Sequence, residues 1–327
     1  MADFKQIVGH ESIIEHFQAA IKNHSVSHAY LLNGENGSGK LLLAKAFAKS
    51  LQCENGGIDA CGTCKSCLQA ESMNHPDIIT LSHEKLSIGV DDIRIQINQT
   101  ISVKPYSGPY KIYIIPDANK MTEAAQNALL KTIEEPPAYA VLILLSDNPS
   151  ALLPTILSRV VSLNLKQVPK EKVSAYLVER LSIPPEQAAL SAGFAQGNIG
   201  KALRYASSED FLDMKKDVLR LLKQIDDMEI PEIIDVIRHF GEHNFEINDI
   251  LDLMLMWYRD VLMLKATNDA NVLLYKDEYK AVSAQARKRN YDNIENIIQS
   301  LDKLKVRLAA NVNFDTAMEL MLMTLKE

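Results

Sequence analysis

Outside the window Cys53–Cys67 the 327-residue chain contains no cysteine. A secreted disulfide fold spreads its cysteines, so that class is excluded. Four thiols in one window predict a metal site in a reducing cytoplasm. No apolar run approaches the roughly 18 residues of a membrane helix; the longest, Ala140–Leu145, reads as a buried strand. Met1–His10 carries no basic stretch followed by an apolar one, so no signal peptide is expected. Positive charge is short as well, with 35 Lys and Arg against 42 Asp and Glu. At a formal charge of −7 the chain is a poor stand-alone binder of a phosphate backbone. If it works on nucleic acid, partners supply most of the positive charge. What is present, 47% apolar and 24% charged residues, is ordinary for a globular protein and excludes disorder and collagen-like repeats. The length suggests two or three domains at roughly 150 residues each.

Periodicity gives the order of elements. Ile13–Ile21 is amphipathic. His28–Leu32 is a short apolar run followed by Gly34-Glu-Asn-Gly37-Ser-Gly39-Lys40. Leu43, Ala44, Phe47, Ala48 and Leu51 then share one helical face. Ile78–Leu81, Lys111–Ile115 and Ala140–Leu145 read as strands, with Asp91–Val103 helical. Thr122–Glu135 is a helix stopped by Pro136-Pro137. Strands alternating with helices predict βαβ units and a parallel sheet. From Val168 no further strand is expected. Pro169–Leu181, Pro185–Phe194 and Gly200–Ala206 read as short helices, and from Glu209 the pattern is wholly helical. Eight of the eleven Met residues lie after residue 200, as core fillers or as an adaptable partner surface. The expected domains are 1–166, 167–207 and 208–327.

Gly34-x4-Gly39-Lys40, between a strand and a helix, is the phosphate-loop pattern. Glycines let backbone N–H groups curl around phosphate oxygens, and the helix N-terminus adds partial positive charge. Gly34, Gly37, Gly39 and Lys40 are the candidate nucleotide-binding residues. The pattern then needs a Ser or Thr hydroxyl for magnesium, and Leu41 stands there; a hard cation wants oxygen. A hydrolysing enzyme also needs acids at the end of an apolar strand. After Lys111–Ile115, Pro116 takes the place of the first acid and Asp117 that of the second. Hydrolysis of ATP by the chain alone is therefore not expected, while non-productive binding stays open.

Cys53-x7-Cys61-x2-Cys64-x2-Cys67 can close a tetrahedral thiolate shell, with Gly56, Gly57 and Gly62 supplying turns. The reading is structural zinc. Iron–sulfur runs place the fourth cysteine downstream, whereas here it lies upstream. His75 is expected to be a bystander.

Taken together, these residues resemble the AAA+ clamp-loader family of bacterial DNA polymerase III. The matches run in order: Ile7-Val8-Gly9, Ser27-His28-Ala29-Tyr30-Leu31, the cysteine insert, Pro105-Tyr106-x-Gly108-x-Tyr110-Lys111, Ala128 through Pro137, and Thr155-Ile156-Leu157-Ser158-Arg159. Val160 replaces the cysteine that follows the Ser-Arg pair in the family motif. The resemblance implies an α/β AAA+ phosphate-loop domain with a zinc insert, a small helical lid, and an all-α collar that oligomerises. In the family's ATPase subunits an arginine that senses the terminal phosphate stands where this chain has Gly200. The departures at Leu41, Pro116 and Gly200 imply a subunit that does not hydrolyse ATP.

The retained Ser158-Arg159 implies an arginine finger, pointing into ATP held by a neighbouring tau/gamma subunit. The other implied partners are a delta subunit and, through the assembly, the beta sliding clamp on primed DNA. The bland reading of Arg159 is a pairing with a carboxylate at a domain edge. Glu134-Glu135 reads either as an acid–base pair or, more simply, as a polar helix end before Pro136. Lys104 and Lys111 read either as contacts to DNA phosphate or, more simply, as a solvated face, and Arg287-Lys288-Arg289 as solvated helix surface or a partner contact. The rival functions are an active AAA+ ATPase using a shifted acid such as Asp117, and a zinc-dependent interaction module with no role at a nucleotide site.

Overall fold

In the computed structural model, residues 3–83, 85–242, 247–309 and 312–326 are described. The chain forms two compact units, Met1–Tyr176 with Gln196–Lys201, and Leu177–Ala195 with Ala202–Glu327.

The first unit holds α1 (Glu11–Lys22), β1 (Ala29–Asn33), α2 (Lys40–Leu51), α3 (Lys65–Glu71) and β2 (Ile78–Thr80). It continues with α4 (Val90–Ile93), prolonged by a wider turn over Arg94–Asn98, then β3 (Lys111–Ile115) and α5 (Glu123–Glu134). After these come β4 (Ala140–Ser146), α6 (Pro154–Leu157) and β5 (Val161–Asn164). The five strands form one parallel sheet in the order β2-β3-β4-β1-β5. Apolar layers cover both of its faces. Phe17, Tyr30, Leu32, Phe47 and Ile143 lie on one side; Leu31, Tyr113, Leu129, Ile133 and Leu144 lie on the other. This explains why β3 and β4 read as unbroken apolar runs: a strand buried on both faces has no polar side.

The strand β5, which precedes Val168, is not among the strands read from the sequence. It pairs with β1 at the sheet edge, and only every second residue is partly covered. Four residues, Val-Ser-Leu-Asn, carry too little of that alternation to be recognised. The helix expected over Asp91–Val103 stops at Asn98.

α7 (Lys170–Leu181), α8 (Pro185–Ala195) and α9 (Ile199–Ser207) follow, and the chain passes between the units inside α7, after α8 and inside α9. The second unit continues with α10 (Glu209–Gln224), α11 (Ile230–Glu242), α12 (Ile247–Thr267), α13 (Tyr279–Lys288), α14 (Tyr291–Ala309) and α15 (Phe314–Lys326). α12 is its axis, with Trp257, Tyr258 and Met254 fully buried. Met214, Met228, Met256, Met318 and Met321 are buried as well, so most of the late methionines fill core. Arg289 is buried, not solvated. It pairs with Asp226 at 2.8 Å and lies over the Tyr258 ring, while Lys288 reaches the same carboxylate at 2.9 Å.

Candidate functional site

Parallel strands bring their carboxyl ends to one edge, where α/β folds place ligands. The phosphate loop leaves β1 at Gly34, whose N–H donates to the carbonyl of Ser146, the last residue of β4. Asp147 and the Pro116-Asp117 pair after β3 emerge beside it. Lys40 does not reach outward. Its ammonium donates to the Gly34 carbonyl and, at 3.0 Å, to that of Glu35. Burial lowers its pKa, and the nearby carboxylates Asp147, Asp117 and Glu35 oppose that shift. Asp117 forms a 3.1 Å ion pair with Lys120. The Leu41 side chain offers no magnesium ligand.

Residues Gln196–Lys201, within the same unit, lie on the loop. Asn198 donates from Nδ2 to the Asn36 carbonyl at 2.8 Å and accepts the Lys201 N–H on Oδ1 at 3.1 Å. Gly200 donates its N–H to the Gly37 carbonyl at 2.9 Å. A Cβ at Gly200 would stand 2.7 Å from Gly37 Cα and 2.8 Å from Gly37 O. A Cβ at Gly37, whose φ is +84°, would meet Asn198 Oδ1 at 2.6 Å. Backbone touches backbone here, and any side chain at 200 would force the segment off the loop. The role of Asn198 was not legible in sequence, because an asparagine before a helix reads as an ordinary cap.

The four cysteines come together as expected. Their sulfurs all lie within 4.8 Å of one another, with Cys61 Sγ and Cys67 Sγ 3.9 Å apart. Metal–sulfur bonds of about 2.3 Å in a tetrahedron need sulfurs about 3.8 Å apart, so the donor set fits a metal ion. The local backbone favours thiolates. Cys61 Sγ accepts from the N–H groups of Thr63 and Cys64 and from the Thr63 hydroxyl, which lowers its pKa to about 5. Cys64 Sγ accepts the Cys67 N–H at the start of α3. Burial pushes the Cys67 thiol up, the direction a bound cation reverses. His75 stands outside the group. Its Nδ1 accepts the Asp77 N–H at 3.1 Å and its Nε2 pairs with the Ser66 hydroxyl at 3.0 Å.

Buried Asp77 was not singled out in the sequence. It accepts the N–H groups of Tyr106 and Ser107 at 2.7 and 2.8 Å, and so fixes the loop before β3. Lys111 departs from the expected solvated face: it is buried, and its ammonium donates to the carbonyls of Thr100 and Val103. Lys104 is exposed.

Arg159 follows α6. Its Nη1 donates to the Thr155 carbonyl at 3.0 Å and the Ser158 hydroxyl at 3.1 Å, and its Nη2 lies 3.1 Å from Glu134 Oε1. The Arg159 side chain is 40% exposed. Glu134 and Glu135, both exposed, close α5.

Comparison with known proteins fits this set of features. A family model described as DNA polymerase III, delta subunit, matches residues 9–169. DNA polymerase III subunit delta' of Bacillus subtilis is 31% identical over 311 residues, covering 94% of this chain and 93% of that protein. The chain belongs to the delta' family. It is thus a homologue of a DNA polymerase III clamp-loader subunit. Subunit tau of Bacillus subtilis is 26% identical over 96% of this chain, but the match spans only 60% of tau. Among solved structures, a gamma subunit-related protein of Thermotoga maritima matches 96% of this chain and 98% of its own at 21% identity, with a TM-score of 0.48.

Proposed function

We propose that this delta' homologue is a non-hydrolysing scaffold in the clamp loader of DNA polymerase III. In this reading it donates Arg159 to ATP held by an adjacent tau/gamma subunit. A delta subunit is its other neighbour, and the assembly loads the beta sliding clamp on primed DNA. The observation that carries the reading is an asymmetry. The chain's own loop has Leu41, Pro116 and a backbone-to-backbone contact at Gly200, while Arg159 is intact and half-exposed. A planar guanidinium stabilises charge developing on the transferred phosphoryl group, a role lysine fills poorly.

The division of labour extends the proposal. Residues 1–166 form the AAA+ body, 167–207 the lid, and 208–327 the collar that oligomerises with related subunits. Cys53, Cys61, Cys64 and Cys67 hold a structural zinc. All four positions are filled by protein, so this metal shapes the insert and leaves no place for substrate.

The test is steady-state Mg-ATP turnover, first by the purified chain and then by the complex reconstituted with tau/gamma and delta. No turnover is expected from the chain alone. In the complex, Arg159→Ala should leave assembly intact and reduce turnover by about a thousandfold, about 4 kcal/mol of barrier. Turnover by the chain alone that disappears in Lys40→Ala would instead identify a motor. Unchanged turnover in the Arg159→Ala complex would remove the finger.

A further inference from the structure

The arginine-finger reading gives Arg159 a role and leaves Glu134 without one. Glu134 is the last residue of α5, followed by Glu135 and Pro136. A carboxylate there meets the negative end of the helix dipole, where basic residues are favoured. Helix stability therefore gives no reason for it. An ion pair between side chains 40% and 48% exposed also adds little to folding stability. What the contact does provide is placement.

Thr155 and Ser158, the acceptors for Nη1, lie on the arginine's own turn and move with it. Glu134 comes from another element. Its helix is anchored in the core by Leu129 and Ile133, so the 3.1 Å contact with Nη2 ties the guanidinium to the body of the unit. Three acceptors from two elements grip one end of the group before any neighbour arrives.

We propose that Glu134 is a positioning residue that pre-orders Arg159 for the neighbouring subunit's nucleotide. The inference rests on the reading of Arg159 as acting in trans. A long side chain held in one pose has already given up rotamer freedom, which for arginine is worth on the order of tenfold in the population ready to act.

The experiment uses the reconstituted complex and measures kcat and KM for ATP with delta' as parent, Glu134→Ala, Glu134→Gln, Arg159→Ala and the double variant Glu134→Ala/Arg159→Ala. Glu134→Ala is expected to lower kcat about tenfold with KM within about twofold, because pre-ordering acts on the reacting complex. Glu134→Gln keeps an acceptor at the same reach and should stay within about threefold of the parent, the loss from a charged to a neutral hydrogen bond. In the Arg159→Ala background, Glu134→Ala should have no further effect. Parent-like kcat in Glu134→Ala, while Arg159→Ala is impaired, overturns the positioning role alone. A rise in kcat overturns it too, since it would mark a carboxylate that sequesters the arginine. Parent-like kcat in Arg159→Ala removes both readings together.

Discussion

Asp77 is 2% exposed and accepts two backbone N–H groups and the Ser107 hydroxyl. Asp77→Ala would strand these donors at the edge of the β3 loop. The expected loss is about 2–3 kcal/mol, the usual range for hydrogen bonds to a buried charge, read as a lower urea midpoint with an unchanged m-value. At this scale the sequence shows which groups are charged but not where they end. Lys111 opens an apolar strand and Arg289 closes a basic cluster, yet in both the charged end is drawn inward. One meets the carbonyls of Thr100 and Val103; the other meets Asp226. The carbonyls that receive Lys111 come from the turns after Asn98, which only the fold brings near. The Arg159–Glu134 contact was invisible for the same reason. Both residues belong to motifs the sequence displays, but their pairing depends on how α5 and α6 pack.

The cysteine insert is the element in which sequence and geometry agree most closely. Spacing alone brought four thiols into reach, because the ligands are local and the turns between them are short. Metal analysis of the purified protein should find about one zinc per chain. Iron, or no metal, would refute the assignment. Cys64→Ala should cost the metal and also fray α3, whose first turn is capped by that sulfur; hydrogen exchange over Lys65–Glu71 would register it. Strands β3 and β4 were equally legible, since continuous burial leaves a continuous apolar run. β5 was not, because a short edge strand owes its existence to the register with Tyr30–Asn33 more than to its own residues.

Across the whole molecule, each unit has its own core, so unfolding in two calorimetric transitions is expected, with chelation lowering only the one that belongs to the first unit. Acidity should act on the first unit too. Burial holds the pKa values of His10 and His75 below the usual histidine value. The unfolded chain therefore takes up protons near pH 6.5 that the folded chain refuses. Stability should be full above that pH and fall as pH drops through it toward the folded values. Urea midpoints at several pH values check the sign. His10→Gln/His75→Gln should flatten the slope.

The close approach of Gly200 to Gly37 also bears on the history of such a chain. If the loop once turned over nucleotide, its losses are not independent. A hydroxyl can be put back by Leu41→Thr at a position that is 39% exposed. An arginine at 200 cannot, because its first carbon would already collide with the loop backbone. Each reversion therefore has a different price, and the second is closed until the segment Gln196–Lys201 finds another seat. On the proposed reading, the contact works as a ratchet: once the glycine had settled on the loop, selection for hydrolysis could no longer retrace its steps one substitution at a time.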